Sequence, residues 1–390
     1  MTLANWQEAG FGLYLHWPFC AAKCPYCDFN SHVAASIDHA AWQRAYLSDL
    51  DHWAARTPGR VLTSVFLGGG TPSLMQPEVV AAILERIHRN WTVANDLEVT
   101  LEANPGSVDA DRFAAFHAAG VNRFSVGLQA LNDEDLRRLG RLHTVAEGRA
   151  AFEVAASLTD RVSFDLIYAR QDQSLGDWEA ELRSALSQAG EHLSLYQLTI
   201  EDGTAFGARH AAGGLRGLPT EELSVAQYEI TQALTAEAGL RRYEVSNHAR
   251  PGAESRHNLI YWRGGDWLGV GPGAHGRVAL DGARLATVAH RAPGAWLQAV
   301  ARQGHGIETT EPLPATEIAD EYALMSLRLT EGMDLARHAR LGGAIDAAEV
   351  AALVQSGHLM EENGRLRATE AGILVLNALL GRILGEPPRE

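Results

Sequence analysis

Short runs of consecutive apolar residues alternate along this chain with longer stretches whose apolar positions recur at helical spacing. The first pattern suits strands covered on both faces and the second suits the helices that cover them, so the sequence predicts parallel strands joined by crossover helices. Six strands are predicted, at 13–16, 62–67, 97–101, 123–126, 162–168 and 192–199, with helices at 77–89, 109–119, 145–157 and 175–188 among the connections. In such α/β barrels the C-terminal strand ends form the active face. Polar or glycine-rich segments fall at five of those ends: the cysteines at 20–27, the run GGGTP at 68–72, EANP at 102–105, GLQ at 127–129, and Asp165 within the fifth strand.

Beyond residue 200 the pattern changes to a helix at 221–238, shorter β-like pieces and glycine-rich turns at 264–265 and 269–273. A second change at 311–314 precedes a helix at 316–329, two short helices, a hairpin at 358–367 turning at Asn363-Gly364, and a last helix. The expected organisation is a partial (β/α)6 barrel over 1–200, an α+β extension over 201–310, and a small winged-helix-like domain over 311–390.

Composition narrows the options. With 390 residues and 46% apolar content the chain can bury a large core. A formal charge of −15 opposes the cationic surface that sequence-independent phosphate binding needs, so nucleic acid is not an expected partner. The first ten residues do not read as a secretory signal and no apolar run is long enough to cross a bilayer, which predicts a cytoplasmic protein.

The chain holds three cysteines, and Cys20, Cys24 and Cys27 fall within eight consecutive residues. Thiolates so spaced can converge on one soft metal centre. Three thiolates leave one iron of a cubic iron–sulfur cluster without a protein ligand; a zinc site completed by His16, His32 or Asp28 is the alternative on spacing alone.

This loop, with Tyr26 just before its last cysteine, resembles that of the radical S-adenosylmethionine (SAM) superfamily, and the resemblance extends to GGGTP and Glu102. The segments YLHWPFC at 14–20, FLGGGTPS at 66–73, EANP, GLQ and DLIY at 165–168 resemble the branch that holds oxygen-independent coproporphyrinogen III oxidase and its heme-chaperone relatives. The resemblance implies a [4Fe–4S] cluster on Cys20, Cys24 and Cys27, SAM on the open iron, and a SAM pocket lined by Tyr14, Tyr26, Gly69, Gly70, Thr71, Glu102, Gln129, Arg141 and Asp165. Each has a plainer competitor: packing for the tyrosines, a tight turn for the glycines, helix capping for the carboxylates, a solvated face for Arg141. After Tyr168 the chain reads ARQDQ, where the family commonly has a glycine- and proline-containing turn.

Within the branch, Phe29 stands where the oxidase carries a further cysteine, and only thirteen residues precede Tyr14, where the oxidase has a long segment. HNLIYW at 257–262 is similar to the HNxxYW motif of the heme chaperones. Histidine can be an axial heme ligand, so His257 is the candidate, with Tyr261 and Trp262 offering flat apolar area. The expected function is heme binding and transfer, with an oxidase or a radical SAM enzyme of RNA as competitors. The expected partners are heme, a membrane-associated heme acceptor, an electron donor such as flavodoxin or ferredoxin, and a second copy of the chain in a homodimer.

Overall fold

The computed structural model describes residues 5–107 and 109–384; the first four residues of the segment read above for a leader lie outside that range. Its first fourteen strands are β1 Phe11–Trp17, β2 Phe19–Cys20, β3 His32–Val33, β4 Val61–Gly69, β5 Thr92–Ala103, β6 Arg123–Gln129, β7 Val162–Tyr168, β8 His192–Gln197, β9 Arg241–Arg242, β10 Asn247–Ala249, β11 Asp266–Val270, β12 His275–Leu280, β13 Ala283–Ala289 and β14 Ile307–Pro312. The six expected strands appear as β1 and β4 to β8, paired in that order and all parallel. The crossover helices form where the periodicity places them, at Pro77–Asn90, Ala110–Ala118, Val145–Leu158 and Leu175–Leu186. Asp109 caps the second, and Thr144 and Ser174 close capping boxes on the third and fourth, satisfying amides that the first helical turn leaves free.

The extension does not stand apart from the barrel. β11, read above as part of a glycine-rich turn region, is a fully buried strand that pairs in parallel with β1 and carries the hairpin β12–β13 and edge strand β14 into the same twelve-stranded sheet. Its glycines hide it from a hydrophobic count, yet they are needed there: a Cβ on Gly269 would run into the backbone of His275. Asp266 anchors this sheet from inside, taking Arg60 at 2.6 Å and Arg284 at 2.9 Å, all three buried.

Residues 318–383 pack a second core around Ile318, Tyr322, Leu353, Leu366 and Leu380. A three-stranded sheet of β15 Met333–Asp334, β17 Arg365–Ala368 and β16 Leu359–Glu362 lies against it, and the β16–β17 hairpin turns with Asn363 and Gly364 both at positive φ, 53° and 73°. Helices followed by this hairpin make the winged-helix-like arrangement. Among the described residues, no helix is long and apolar enough to cross a membrane.

Candidate functional site

Parallel strands alternate their side chains, and here the outward set is apolar while the inward set is polar, small or aromatic: Tyr14, His16, Ser64, Phe66, Glu98, Glu102, Arg123, Ser125, Asp165, His192, Ser194 and Tyr196. A barrel filled for stability alone carries branched aliphatics inside. The polar lining divides by height. Ser64, Glu98, Arg123 and His192, toward the strand starts, are buried, whereas Glu102, Ser125, Gln129 and Asp165, toward the strand ends, are half-buried and Tyr196 is 42% exposed. The upper half is an open concavity.

The cysteine loop borders that concavity. β1 delivers the chain through Trp17, which is 1% exposed and packs on Trp42, and β2 pairs with β3 through Phe19–His32 and Cys20–Val33 to close the loop. The amide of Cys27 donates to the Cys24 carbonyl at 3.2 Å, a turn that brings the last two cysteines together. All three thiols are half-buried and free. Thr71 Oγ1 donates to Cys20 Sγ at 3.3 Å and Arg141 donates to Cys24 Sγ at 3.4 Å. Burial pushes the Cys20 and Cys27 thiols up, with smaller opposing help from the Thr71 hydroxyl and the Phe29 backbone respectively.

The zinc alternative loses His16. His16 Nε2 meets the carbonyl of Asn30 at 2.9 Å and must donate to it, so Nδ1 accepts from the Tyr14 hydroxyl at 2.9 Å and no lone pair remains. His32 Nε2 is engaged by Asn30 Oδ1 at 3.1 Å, and among the described residues no three His, Cys, Asp or Glu side chains gather as for a single ion. Thiolates that each take a different corner of a polynuclear cluster need no such convergence.

GGGTP is fastened to the cysteine loop by its backbone: the Gly70 amide donates to Trp17 O at 2.7 Å and the Thr71 amide to Phe19 O at 2.8 Å. Gly69 has φ +108°, and a Cβ there would lie 2.5 Å from the His16 ring; one on Gly70 would lie 2.7 Å from Phe19 O. Packing against the loop therefore already requires both glycines. The Gly69 amide points the other way, donating to Glu102 Oε2 at 3.1 Å.

Glu102 on β5 and Asp165 on β7 line the concavity on either side of β6. Burial, then the charge of Asp165, pushes the Glu102 carboxyl up to about 8. Burial raises Asp165 to about 6, opposed by hydrogen bonds from Ser194 and from Ser125, the latter at 3.1 Å, and by Arg141. Arg141 comes from the segment after the helix Asp133–Arg138, outside any strand, yet it reaches Gly127 O at 3.0 Å as well as Cys24, and its Nε is buried without a partner. Tyr26 lies beside Arg141 and Cys24 and packs on Leu136, Leu139 and Ile167. Gln129 ends β6 at φ +72°, where the register with β7 shifts. Eleven of the thirteen residues singled out in the sequence thus gather at one end of the barrel and Tyr14 lies at mid-height, its ring 6.4 Å from that of His257; two hollows, one lined by Asp135, Leu139, Arg170 and Phe206 and one by Pro105, Gly106, Asp109, Phe113 and Glu147, include none of the thirteen.

His257 is the exception. It sits on the helix Arg256–Trp262 that closes the opposite end, 1% exposed, with its ring stacked 5.1 Å from Phe66. Nδ1 hydrogen-bonds with Ser64 at 2.7 Å and Nε2 with Tyr261 at 2.6 Å, and burial pushes the imidazole down to about 3, so it is neutral and both nitrogens are used. Tyr261 meets Trp267 edge-on at 4.6 Å, and Trp262, half-buried, packs toward Tyr243 and Leu329. As folded here, His257 is a packed, hydrogen-bonded core histidine, in contrast to the accessible axial ligand expected from its motif.

The loop after Tyr168 also differs from a glycine turn. Ala169 and Asp172 take left-handed φ values of 57° and 58°, and the loop is pinned by Arg170, 4% exposed, which bonds Ile167 O at 2.5 Å, Asp135 at 2.8 Å and Glu181 at 2.6 Å. Ionic anchoring does here what a glycine–proline turn does by backbone preference. Sequence reasoning missed Arg170, Tyr196, Ser125, Ser194, Asn30 and Ser31; the signal available for the strand residues was the polar alternation Arg123-x-Ser125-x-Gly127-x-Gln129 and His192-x-Ser194-x-Tyr196.

Comparison with known proteins agrees with this geometry. Residues 14–185 match the model of the radical SAM superfamily and 313–375 that of the HemN C-terminal domain. The solved coproporphyrinogen III oxidase HemN from Escherichia coli superposes with a TM-score of 0.79 over 95% of this chain and 89% of its own, at 21% identity, so the fold is shared. The protein is of the radical SAM class. At the level of sequence it is 38% identical to the heme chaperone HemW of Escherichia coli over 96% of this chain and 98% of that one, and 36% identical to HemW of Mycobacterium tuberculosis over 98% and 97%. It is 40% identical to the mitochondrial radical S-adenosyl methionine domain-containing protein 1 of Bos taurus over 95% and 87%. The chain belongs to the HemW family.

Proposed function

We propose that this chain is a heme chaperone that binds heme, passes it to an acceptor protein, and carries a SAM-coordinated [4Fe–4S] cluster on Cys20, Cys24 and Cys27. The observation that carries the reading is the meeting of these thiols with Glu102, Asp165 and Arg141 in one concavity of a chain that matches HemW along nearly its whole length. The donor set fits the cofactors. Half-buried thiolates suit iron, the uncompensated Glu102 carboxylate suits an ammonium, and the partnerless Arg141 Nε suits a carboxylate. The hydroxyl-bonded Asp165 suits ribose hydroxyls, while Tyr14, Tyr26, Gly69, Gly70, Thr71 and Gln129 complete the wall. Reduced and bound, this cluster supplies one-electron cleavage of the SAM sulfonium bond. The chain orients SAM, and the Tyr14–His16–Asn30 hydrogen bonds hold the floor beneath it.

Heme ligation by His257 does not fit the folded geometry, since it would require release of Ser64 or Tyr261 and an opening of the helix Arg256–Trp262. A cytoplasmic setting, a membrane-associated acceptor, a flavodoxin- or ferredoxin-type electron donor and a homodimer complete the reading.

The test is anaerobic reconstitution followed by two assays. Stoichiometric heme binding without decarboxylation of coproporphyrinogen III in the presence of SAM and reductant supports a chaperone; product at turnover makes it an oxidase. Glu102→Gln should weaken SAM binding at least tenfold while leaving iron content unchanged. Lys23, the single lysine of the chain, is exposed between Cys20 and Cys24 and gives an amine-labelling report on loop order as the cluster forms.

A further inference from the structure

Ser31 ends the cysteine loop, directly before β3. It is 5% exposed, its amide donates to Phe29 O at 2.7 Å, and its hydroxyl oxygen is fully enclosed with no hydrogen-bond partner. A buried hydroxyl left unpaired keeps the full cost of its desolvation. Its neighbours are sulfurs: the hydroxyl stands beside Cys20 and Cys27, favouring the thiolate of each, but is aligned on neither as the loop is folded here. Asn30 fixes the approach by donating through Nδ2 to the carbonyls of Pro272 and Arg291, both at 2.9 Å, which ties the end of the loop to the β11–β12 turn and to residue 291.

The other two sulfur contacts are already assigned. Cys20 takes the Thr71 hydroxyl and Cys24 takes the Arg141 guanidinium, whereas Cys27 has the Phe29 backbone and, out of line, the Ser31 hydroxyl. Thr71, Arg141 and Ser31 thus stand as side-chain donors around the three thiols, and Ser31, whose hydroxyl makes no aligned bond, lies beside Cys27, the cysteine that takes no aligned side-chain bond. We propose that Ser31 is a positioning residue for the cluster, donating its hydroxyl to the Cys27 thiolate once that sulfur binds iron and raising the cluster's reduction potential. This rests on the cluster reading given above. A thiolate is a far better acceptor than a thiol, so the bond strengthens on metallation. Hydrogen bonds to cluster sulfurs stabilise the more negative, reduced form, and outer-shell partners of this kind tune metal sites.

The experiment compares the full chain with Ser31→Ala and Ser31→Thr, each reconstituted anaerobically with iron and sulfide. Iron and sulfide content, the electron paramagnetic resonance of the reduced cluster and its midpoint potential are measured in each. Ser31→Ala should load the same iron, show a more negative midpoint and altered resonance, and Ser31→Thr should return both toward the parent values. Identical midpoints and spectra with full clusters overturn the proposal. If Ser31→Ala fails to load, Ser31→Val is set against Ser31→Thr, two side chains of one shape that differ in the hydroxyl, and equal midpoints again overturn it. A parent chain that holds no [4Fe–4S] cluster defeats the functional reading instead.

Discussion

The two ends of this barrel carry similar residue types under opposite conditions. At the closed end Glu98 accepts from Arg123 at 3.3 Å through one oxygen and from the His257 amide at 3.2 Å through the other, and Tyr243 bonds His192 at 3.0 Å. At the open end Glu102 has one backbone amide, Arg141 has a bare Nε, and Ser31 has nothing. Both ends are polar, so polarity does not mark the site. The ends differ in how their acids are used: Glu98 is closed by Arg123 and the His257 amide, whereas Glu102 keeps one backbone amide at a concave surface and is poised for a ligand, even though His192 Nδ1 at the closed end is also without a partner.

The largest effect should come from breaking the closed end. Arg123→Ala strands the Glu98 carboxylate, 1% exposed, and should cost about 3–5 kcal/mol by urea denaturation, whereas the same substitution at Arg141 should cost far less. His257→Ala leaves Ser64 and Tyr261 unpaired beside a cavity and should cost about 2–4 kcal/mol. In heme titration its affinity and spectrum should equal those of the parent if the ring is structural; loss of a heme band at unchanged stability would restore it as a ligand.

Glu102 tests the open end through pH. An unfolded glutamate releases its proton near 4.5, whereas the folded carboxyl keeps it to about 8. Between those values the folded state binds the extra proton, so its contribution to stability falls as pH rises. Glu102→Gln should flatten that slope and stabilise the cofactor-free protein by about 1–2 kcal/mol at pH 8, the opposite sign to a substitution at Glu98. The smallest effect belongs to the rim: Ala169→Gly relieves a left-handed alanine at φ 57° but loosens the unfolded chain, for a net gain under about 1 kcal/mol in thermal unfolding.

Most of the barrel was legible because each βα unit declares itself locally. The strand at 162–168 and the helix starting at Val145 fall where apolar spacing puts them. β11 was not legible, because its strand character comes from burial beside β1 and its glycines read as turns. Of the site, the cysteines and GGGTP were visible as local clusters, whereas Ser31, Tyr196 and Arg170 have ordinary neighbours in sequence and acquire meaning only from what lies across from them.

By itself the sequence placed three thiols within eight residues of one loop, which marks a soft-metal site, and the family resemblance supplied the cluster. The sequence determined the α/β plan for the same local reason. Only the tertiary structure decided which polar groups are spent and which are free. Glu98 and Glu102 are the same residue four positions apart on one strand, one closed by an arginine from β6 and the other open to the concavity. His257, eye-catching in the sequence, is consumed by Ser64 from a strand nearly two hundred residues away. Hydrogen-bond satisfaction is a long-range property, and no local pattern records it.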